Sequence, residues 1–427
     1  MGILASMYTG ISGLQAQGEA LGIYGDNLAN ANTTGFKTSR PEFTDVISKS
    51  LKGILGGNQI GRGVRLNHID PIFSQGSIVQ TERPTDLAIS GDGFFVVDGA
   101  EGRSFTRAGV FNFDKEGRMS NTDGMQVMGF QADENGMITN KMEPIKLDRA
   151  VIDAKQTGKV TMSMNLDIRA DKGQDFNLEN PDKSSQYSNG LTVYDSAGNA
   201  HLVTVYFNKT DDGVWGWHAI TKGEETAGGE KGKPVESANG VLKFSPDGRL
   251  QESTVGKNEF NFNKGARPGQ KINFDFGKTI AEGGTGLQST QYGTNSDLYK
   301  HVQDGYTAGT VAGLSFSEDG TLSAIYTNGE TINLAQVAVA KFENNEALFK
   351  AGQNRFRESK NSGQAFIGKP GEGGRGRISP KAMESSTTDI ASEFINLMTT
   401  QRTFQANAKS VTVADELMQE VLNMRRQ

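Results

Sequence analysis

The chain has 427 residues, of which 35% are hydrophobic, 54 are glycine and none is cysteine, and its formal net charge is −6. Without cysteine there are no disulfides, no thiol catalysis and no cysteine-type zinc sites. The acidic balance argues against a general nucleic-acid binder, which needs a basic stripe to displace counterions, and the length calls for two or three domains rather than one core.

The first thirty residues carry a stripe at Leu4, Met7, Ile11, Leu14, Gly18, Leu21, Gly25 and Leu28, spaced three and four apart in alternation. That spacing predicts a helix with a coiled-coil-like seam. Gly10, Gly13, Gly18, Gly22 and Gly25 each weaken it by roughly 1 kcal/mol relative to alanine. Alone it is expected to be poorly ordered, and to need partners that allow close backbone approach. The start has no basic region before a solid apolar block, so it does not read as a secretory signal. No run reaches the ~18 apolar residues of a membrane span.

The helix gives way to NLANANTTGFKT, with Asn27, Asn30 and Asn32 followed by Gly35 and Phe36. Asparagine tolerates left-handed backbone and its side chain satisfies loose backbone groups. Asn30, Asn32 and Gly35 are expected to end the helix and turn the chain outward, with Phe36 as the anchor of the turn. Residues 31–70 are polar and rich in glycine, including Gly53, Gly56, Gly57, Gly61 and Gly63, and read as a linker.

The middle of the chain reads as strands. INFDF (272–276), VTVYF (203–207) and WGWHAI (215–220) are short, aromatic and β-branched. FDKEGRM at Phe113, FSPDGRL at Phe244 and FSEDGTL at Phe316 share an acid before a glycine between apolar residues, the mark of a tight hairpin turn. A charged, glycine-rich loop spans 222–233, and a second glycine cluster, 368–380, precedes the last helix. There Ile390, Phe394, Leu397, Gln401, Phe404, Ala408, Val411, Ala414, Met418 and Val421 again step by three and four, after a Ser386-to-Asp389 start signal. Arg425 and Arg426 stand at its C-terminal end, where the helix dipole favours cations. Two such seams at opposite ends of a β-rich chain predict that the termini meet each other and other copies.

The enzyme motifs are weak. Gly371, Gly373 and Gly376 fit a dinucleotide-loop spacing, but Pro380 and polar residues follow instead of a helix. Asn112, Asp114, Glu116, Gly117 and Asp123 mimic part of a calcium loop within what reads as a hairpin. His68, His201, His218 and His301 are scattered; His201 and His218 could lie across neighbouring strands, which is still not a metal site. No catalytic, cofactor-binding or metal-binding residue is assigned, and no cofactor, nucleic acid or membrane insertion is expected.

Four stretches carry a family resemblance. NLANANTTGFKT resembles the N-terminal motif of bacterial flagellar rod and hook axial proteins, through Asn27, Asn30, Thr33, Gly35, Phe36 and Lys37. DLAISGDGFFVV from Asp86, FTRAGVFNFDKEGRM from Phe105 and ASEFINLMTTQRTFQANAKSV from Ala391 resemble its later signatures. An extra insert, 148–302, resembles that of the longer, hook-forming branch, where rod members are shorter. The resemblance implies a mainly β fold with α-helical termini and discontinuous nested domains. These are an inner helical polymerisation domain (1–30 and 386–427), linkers (31–70 and 368–385), an inner β domain (71–147 and 303–367) and an inserted outer β domain (148–302). It also implies export by the flagellar type III apparatus without a cleaved signal, and an extracellular place in the flagellum. Subunits of this kind polymerise beneath a cap into a curved tube that passes torque from rod to filament. The implied partners are other copies, the distal rod protein, the hook cap and the hook–filament junction proteins. Subunit contacts are expected at Leu4, Met7, Ile11, Leu14, Leu21, Leu28, Phe394, Leu397, Phe404, Val411 and Met418. A straight distal-rod protein is the alternative within the family, and a surface adhesin with a helical stalk the alternative outside it.

Overall fold

The structure, a computed structural model, describes residues 2–46, 49–50, 59–134 and 136–424. Among them are three α-helices, α1 (Gly2–Ala29), the single turn α2 (Pro181–Ser184) and α3 (Ile390–Met424), and the remaining regular structure is almost all strand. The chain divides into two compact units, Met1–Asp148 with Gly313–Ala324 and Thr331–Gln427, and Arg149–Ala312 with Ile325–Glu330. Gly53, Gly56, Gly57, Arg425 and Arg426 lie outside the described residues.

In the first unit both ends of the chain fold together. Thr331–Val337, Gln126–Ala132, Phe94–Asp98, Ser104–Thr106, Arg355–Arg357 and Phe349–Gly352 are neighbours in one sheet. Gly129 pairs with Val337, and Thr106 with Arg355. Phe94, Val96, Phe105, Phe130, Phe342 and Phe356 fill its core, with rings meeting edge to face as at Phe105–Phe342, 4.8 Å between centroids. Arg377–Pro380 pairs with Leu87–Ser90, and Ala382–Glu384 with Ile78–Gln80. The span 31–70 carries an antiparallel ribbon, Ser39–Asp45 against Val64–Pro71.

The second unit is built on a five-stranded antiparallel meander, Tyr187–Tyr194, Ala200–Asp211, Val214–Lys222, Pro234–Phe244 and Leu250–Asn258 in that order. A three-stranded sheet of Asn273–Asp275, Lys159–Asn165 and Asp297–Gln303 adds to it. Trp215, Trp217, Phe207, Phe260 and Phe276 form the shared core. His201 and His218 are not partners. His201 Nε2 lies 2.9 Å from Asp195 Oδ2, with the ring stacked on Phe262, while His218 faces Tyr206 across the ladder and contacts Glu236.

The acid–glycine turns are hairpins. Gly117, Gly248 and Gly320 have φ of +75°, +79° and +76°, the left-handed region that glycine enters freely. Asp114 Oδ1 accepts the Arg118 N–H at 2.7 Å, so its carboxylate serves the turn.

α1 and α3 lie antiparallel, since Gly10 faces Val411 while Gly18 faces Phe404. On α1 the buried positions are Gly10, Gly13, Ala16, Ala20 and Asn27, so the small residues face the partner helix. A Cβ at Gly10 would stand 2.8 Å from Val411 Cγ2, whereas Gly22 has nothing within 4 Å. Gly10→Leu is therefore expected to force the helices apart and cost about 1–3 kcal/mol, because a valine side chain is stiff at χ1. Gly22→Ala gains helix propensity, worth roughly 1 kcal/mol. Amide exchange of α1 and α3 checks both; equal effects of the two changes would contradict this packing.

Candidate functional site: the helix pair and its anchor

The anchor begins inside the last turn of α1. Asn27 is fully buried. Its Nδ2 donates to Ser39 O at 2.7 Å and its Oδ1 accepts the Ser39 N–H at 2.9 Å, as a strand neighbour would. The same Nδ2 reaches Glu393 Oε2 of α3 at 3.3 Å. One side chain thus ties α1, the ribbon and α3. Asn30 Nδ2 donates to Asp26 O at 2.9 Å, capping the helix end, and its Oδ1 accepts the Thr33 hydroxyl at 3.0 Å. Asn32 is exposed.

Gly35 makes the turn that follows. Its φ is +69°, and a Cβ there would stand 2.6 Å from Ala108 N, so both backbone shape and space require glycine. Its N–H donates to Glu384 O at 2.8 Å. Phe36 is buried beside it, and its carbonyl accepts the Thr387 N–H at 3.2 Å. The Thr38 N–H donates to Thr387 Oγ1 at 3.0 Å. The outgoing and returning chain are thus stitched together where both meet the helices.

Beneath this turn lies a buried charge cluster that sequence reasoning missed. Lys37 Nζ sits 2.7 Å from Glu384 Oε1, with both side chains fully buried, and also donates to Ser74 O at 2.6 Å. Glu384 Oε1 accepts the Gly76 N–H at 2.8 Å, and Oε2 lies 3.3 Å from Arg107 Nη1. Arg107 donates from Nη2 to Gly91 O at 2.8 Å and lies over the Phe94 ring. Burial pushes the Lys37 ammonium and the Arg107 guanidinium down from their usual values, and the Glu384 carboxylate opposes both shifts. The available signal was a lysine following Gly-Phe and an arginine within FTRAG, each flanked by residues that read as core.

Large apolar residues lie on both the buried and the exposed sides of the helices. Of the expected contact positions, Leu4, Ile11, Phe394 and Phe404 are exposed, and Met7, Leu14, Leu21, Leu28, Leu397, Val411 and Met418 are half-buried. The α3 members Leu397, Phe404, Val411 and Met418 share the buried side of that helix with Glu393, Thr400 and Ala414. Exposure reaches 70% at Tyr8, 58% at Ile395 and 56% at Leu422. Large apolar side chains this exposed along paired helices point to an interaction face. Among the described residues no helix is long and apolar enough to cross a membrane, and no cluster of metal-ligating side chains is found.

A chain of β units whose two ends pair as helices, small residues of α1 against larger ones of α3, with exposed apolar side chains beyond, has the architecture of an axial subunit. Family comparisons give the same class. Residues 7–37 match the flagella basal body rod protein model, and 88–164 the flagellar hook protein FlgE/F/G D1 domain. Residues 165–306 match the flagellar basal body protein FlaE D2 domain, and 379–424 the flagellar basal body rod FlgEFG protein C-terminal model. The flagellar hook protein FlgE of Borreliella burgdorferi is 32% identical, over 99% of this chain and 100% of that protein. That of Salmonella typhimurium is 30% identical, over 97% and 98%. The crystal structure of Helicobacter pylori flagellar hook protein FlgE2 shares the fold, with a TM-score of 0.52 and 16% identity over 72% of this chain and all of that one. The chain belongs to the flagellar hook protein FlgE family. It is a structural subunit of the bacterial flagellar hook, and the rod-type alternative is not favoured.

Glu384→Ala strands two buried cations, a loss expected at about 3–5 kcal/mol. Urea unfolding of the monomer checks it, and a loss below about 1 kcal/mol would contradict the cluster. Glu393 gives a pH test. Burial raises its pKa above the ordinary value of 4.5, with the Asn27 hydrogen bond opposing and the Asp389 charge adding to the rise. An acid held above its unfolded value weakens the fold where it is ionised, and that penalty is relieved as pH falls through the folded pKa. Glu393→Gln is expected to stabilise the helix pair at neutral pH, with the gain vanishing below the unfolded value. A gain that does not change between pH 7 and pH 4 would sink this assignment; thermal melts across pH decide it.

Proposed function

We propose that copies of this chain pack their terminal helices side by side around a channel, forming a curved tube that passes torque from rod to filament. The observation that carries this reading is the helix pair itself, in which small residues of α1 meet α3 within one chain while apolar side chains such as Leu4, Tyr8, Ile395 and Leu422 stay exposed. Covering those faces with other copies removes apolar surface from water, at roughly 25 cal/mol per Å². The inner helices would hold the tube together, while the β units slide against neighbours through polar, loosely packed contacts as the tube turns. Of the expected contact positions, Leu4, Met7, Ile11, Leu14, Leu21, Leu28 and Phe394 would meet neighbouring copies, while Leu397, Phe404, Val411 and Met418 share the side of α3 that packs within the chain.

On this reading the terminal helices form the inner wall of the tube. The distal rod protein adjoins the hook below, the hook–filament junction proteins lie above, and the hook cap guides growth. Export would proceed through the flagellar type III apparatus.

Replacing Ile11 and Leu14 with aspartate is expected to leave a folded, soluble monomer that forms no tubes. Electron microscopy and sedimentation of the purified chain after high-salt polymerisation test this, and unchanged assembly would count against the seam.

A further inference from the structure

A cleft of about 540 Å³ opens at the anchored end of the helix pair, between α1, the Ser39–Pro71 ribbon and the strand after Glu346. Leu348, Ile23 and Leu66 give it an apolar lining, buried or half-buried, and Glu19, Asp26 and Glu346 bring exposed carboxylates to it. Lys350 also lines it; its ammonium donates to Ser39 Oγ at 2.6 Å and faces Asp26. Glu19 and Glu346 have no ion pair among the described residues. The cleft therefore suits a segment that is apolar and basic.

The far end of α3 is such a segment. Val421, Leu422 and Met424 are exposed, and Arg425 and Arg426 follow in the sequence. The same molecule cannot bring them together. Glu393, near the start of α3, bonds Asn27 beside the cleft, and the helix carries Met424 roughly 46 Å away at ~1.5 Å per residue.

We infer that the C-terminal end of α3 of one copy seats in the Glu19–Glu346 cleft of the next. The contact is head-to-tail, with unlike surfaces meeting, so it leaves each copy a free site for the next and can propagate along an assembly. It rests on the proposed polymerisation and adds to it a direction and a pairing of charges.

Charge exchange in the full-length chain tests it. Arg425→Glu with Arg426→Glu, or Glu19→Lys with Glu346→Lys, is expected to lower polymer yield at least about tenfold, and combining all four is expected to restore it to within about threefold. Circular dichroism of each monomer monitors folding. Should a reversal unfold the chain, Glu19→Gln with Glu346→Gln replaces it, with a smaller loss expected. Reversed or neutralised variants that polymerise like the parent, or a folded fourfold variant that stays defective, overturn the inference. A parent chain that forms no polymer overturns the proposed function beneath it, so the two failures are distinct.

Discussion

Gly10, Gly13, Ala16 and Ala20 of α1 turn toward α3 while Leu4, Tyr8 and Ile11 face water, so the helix pair leaves apolar surface uncovered within one chain. That constraint governs the rest of this molecule. Small residues let the two terminal backbones approach closely, so Gly10 meets Val411 and Gly13 meets Asn407. The same arrangement leaves Leu4, Tyr8, Ile395 and Leu422 in water. Few apolar side chains are buried between the helices, and the glycines of α1 add a propensity cost. The pair is therefore shaped within one chain but buries little apolar surface there, and on the proposed assembly its remaining stability would come from neighbours, as in interface-folded segments.

The anchor supplies what the helices lack. Asn27, Gly35, Lys37, Arg107 and Glu384 bring together positions as far apart as 366 residues, and they do so with directional polar contacts. A buried ion pair is costly to form but costlier to break, so this cluster fixes the direction in which the helices leave the β unit. Hydroxyl contacts such as Thr38 with Thr387 and Thr388 surround it. The junction within each copy is therefore set by directional polar contacts, while the apolar faces of the helices are left free.

Much of this was legible in the sequence for local reasons. The three-and-four spacing marked both terminal helices, and acid–glycine pairs marked the hairpins at Gly117, Gly248 and Gly320. VTVYF and WGWHAI fell on adjacent meander strands. What could not be read was the choice of face. On α1 the glycine stripe and the leucine stripe run at the same period, and periodicity alone does not say which one meets α3. Glu384 was equally hidden, because its partners come from the opposite end of the chain. The ribbon within 31–70 escaped notice because glycine and polar residues dominate there, while its pairing depends on alternation across two strands separated by a loop.

The central claim is that the helix pair is only marginally stable until other copies cover it. Hydrogen exchange, followed amide by amide in the dilute monomer and in the assembled tube, addresses it most directly. The account predicts rapid exchange along α1 and α3 in the monomer, slow exchange around Phe94 and Trp217 in both states, and strong protection of the helices only in the tube. Helices already as protected in the monomer as in the tube would contradict it.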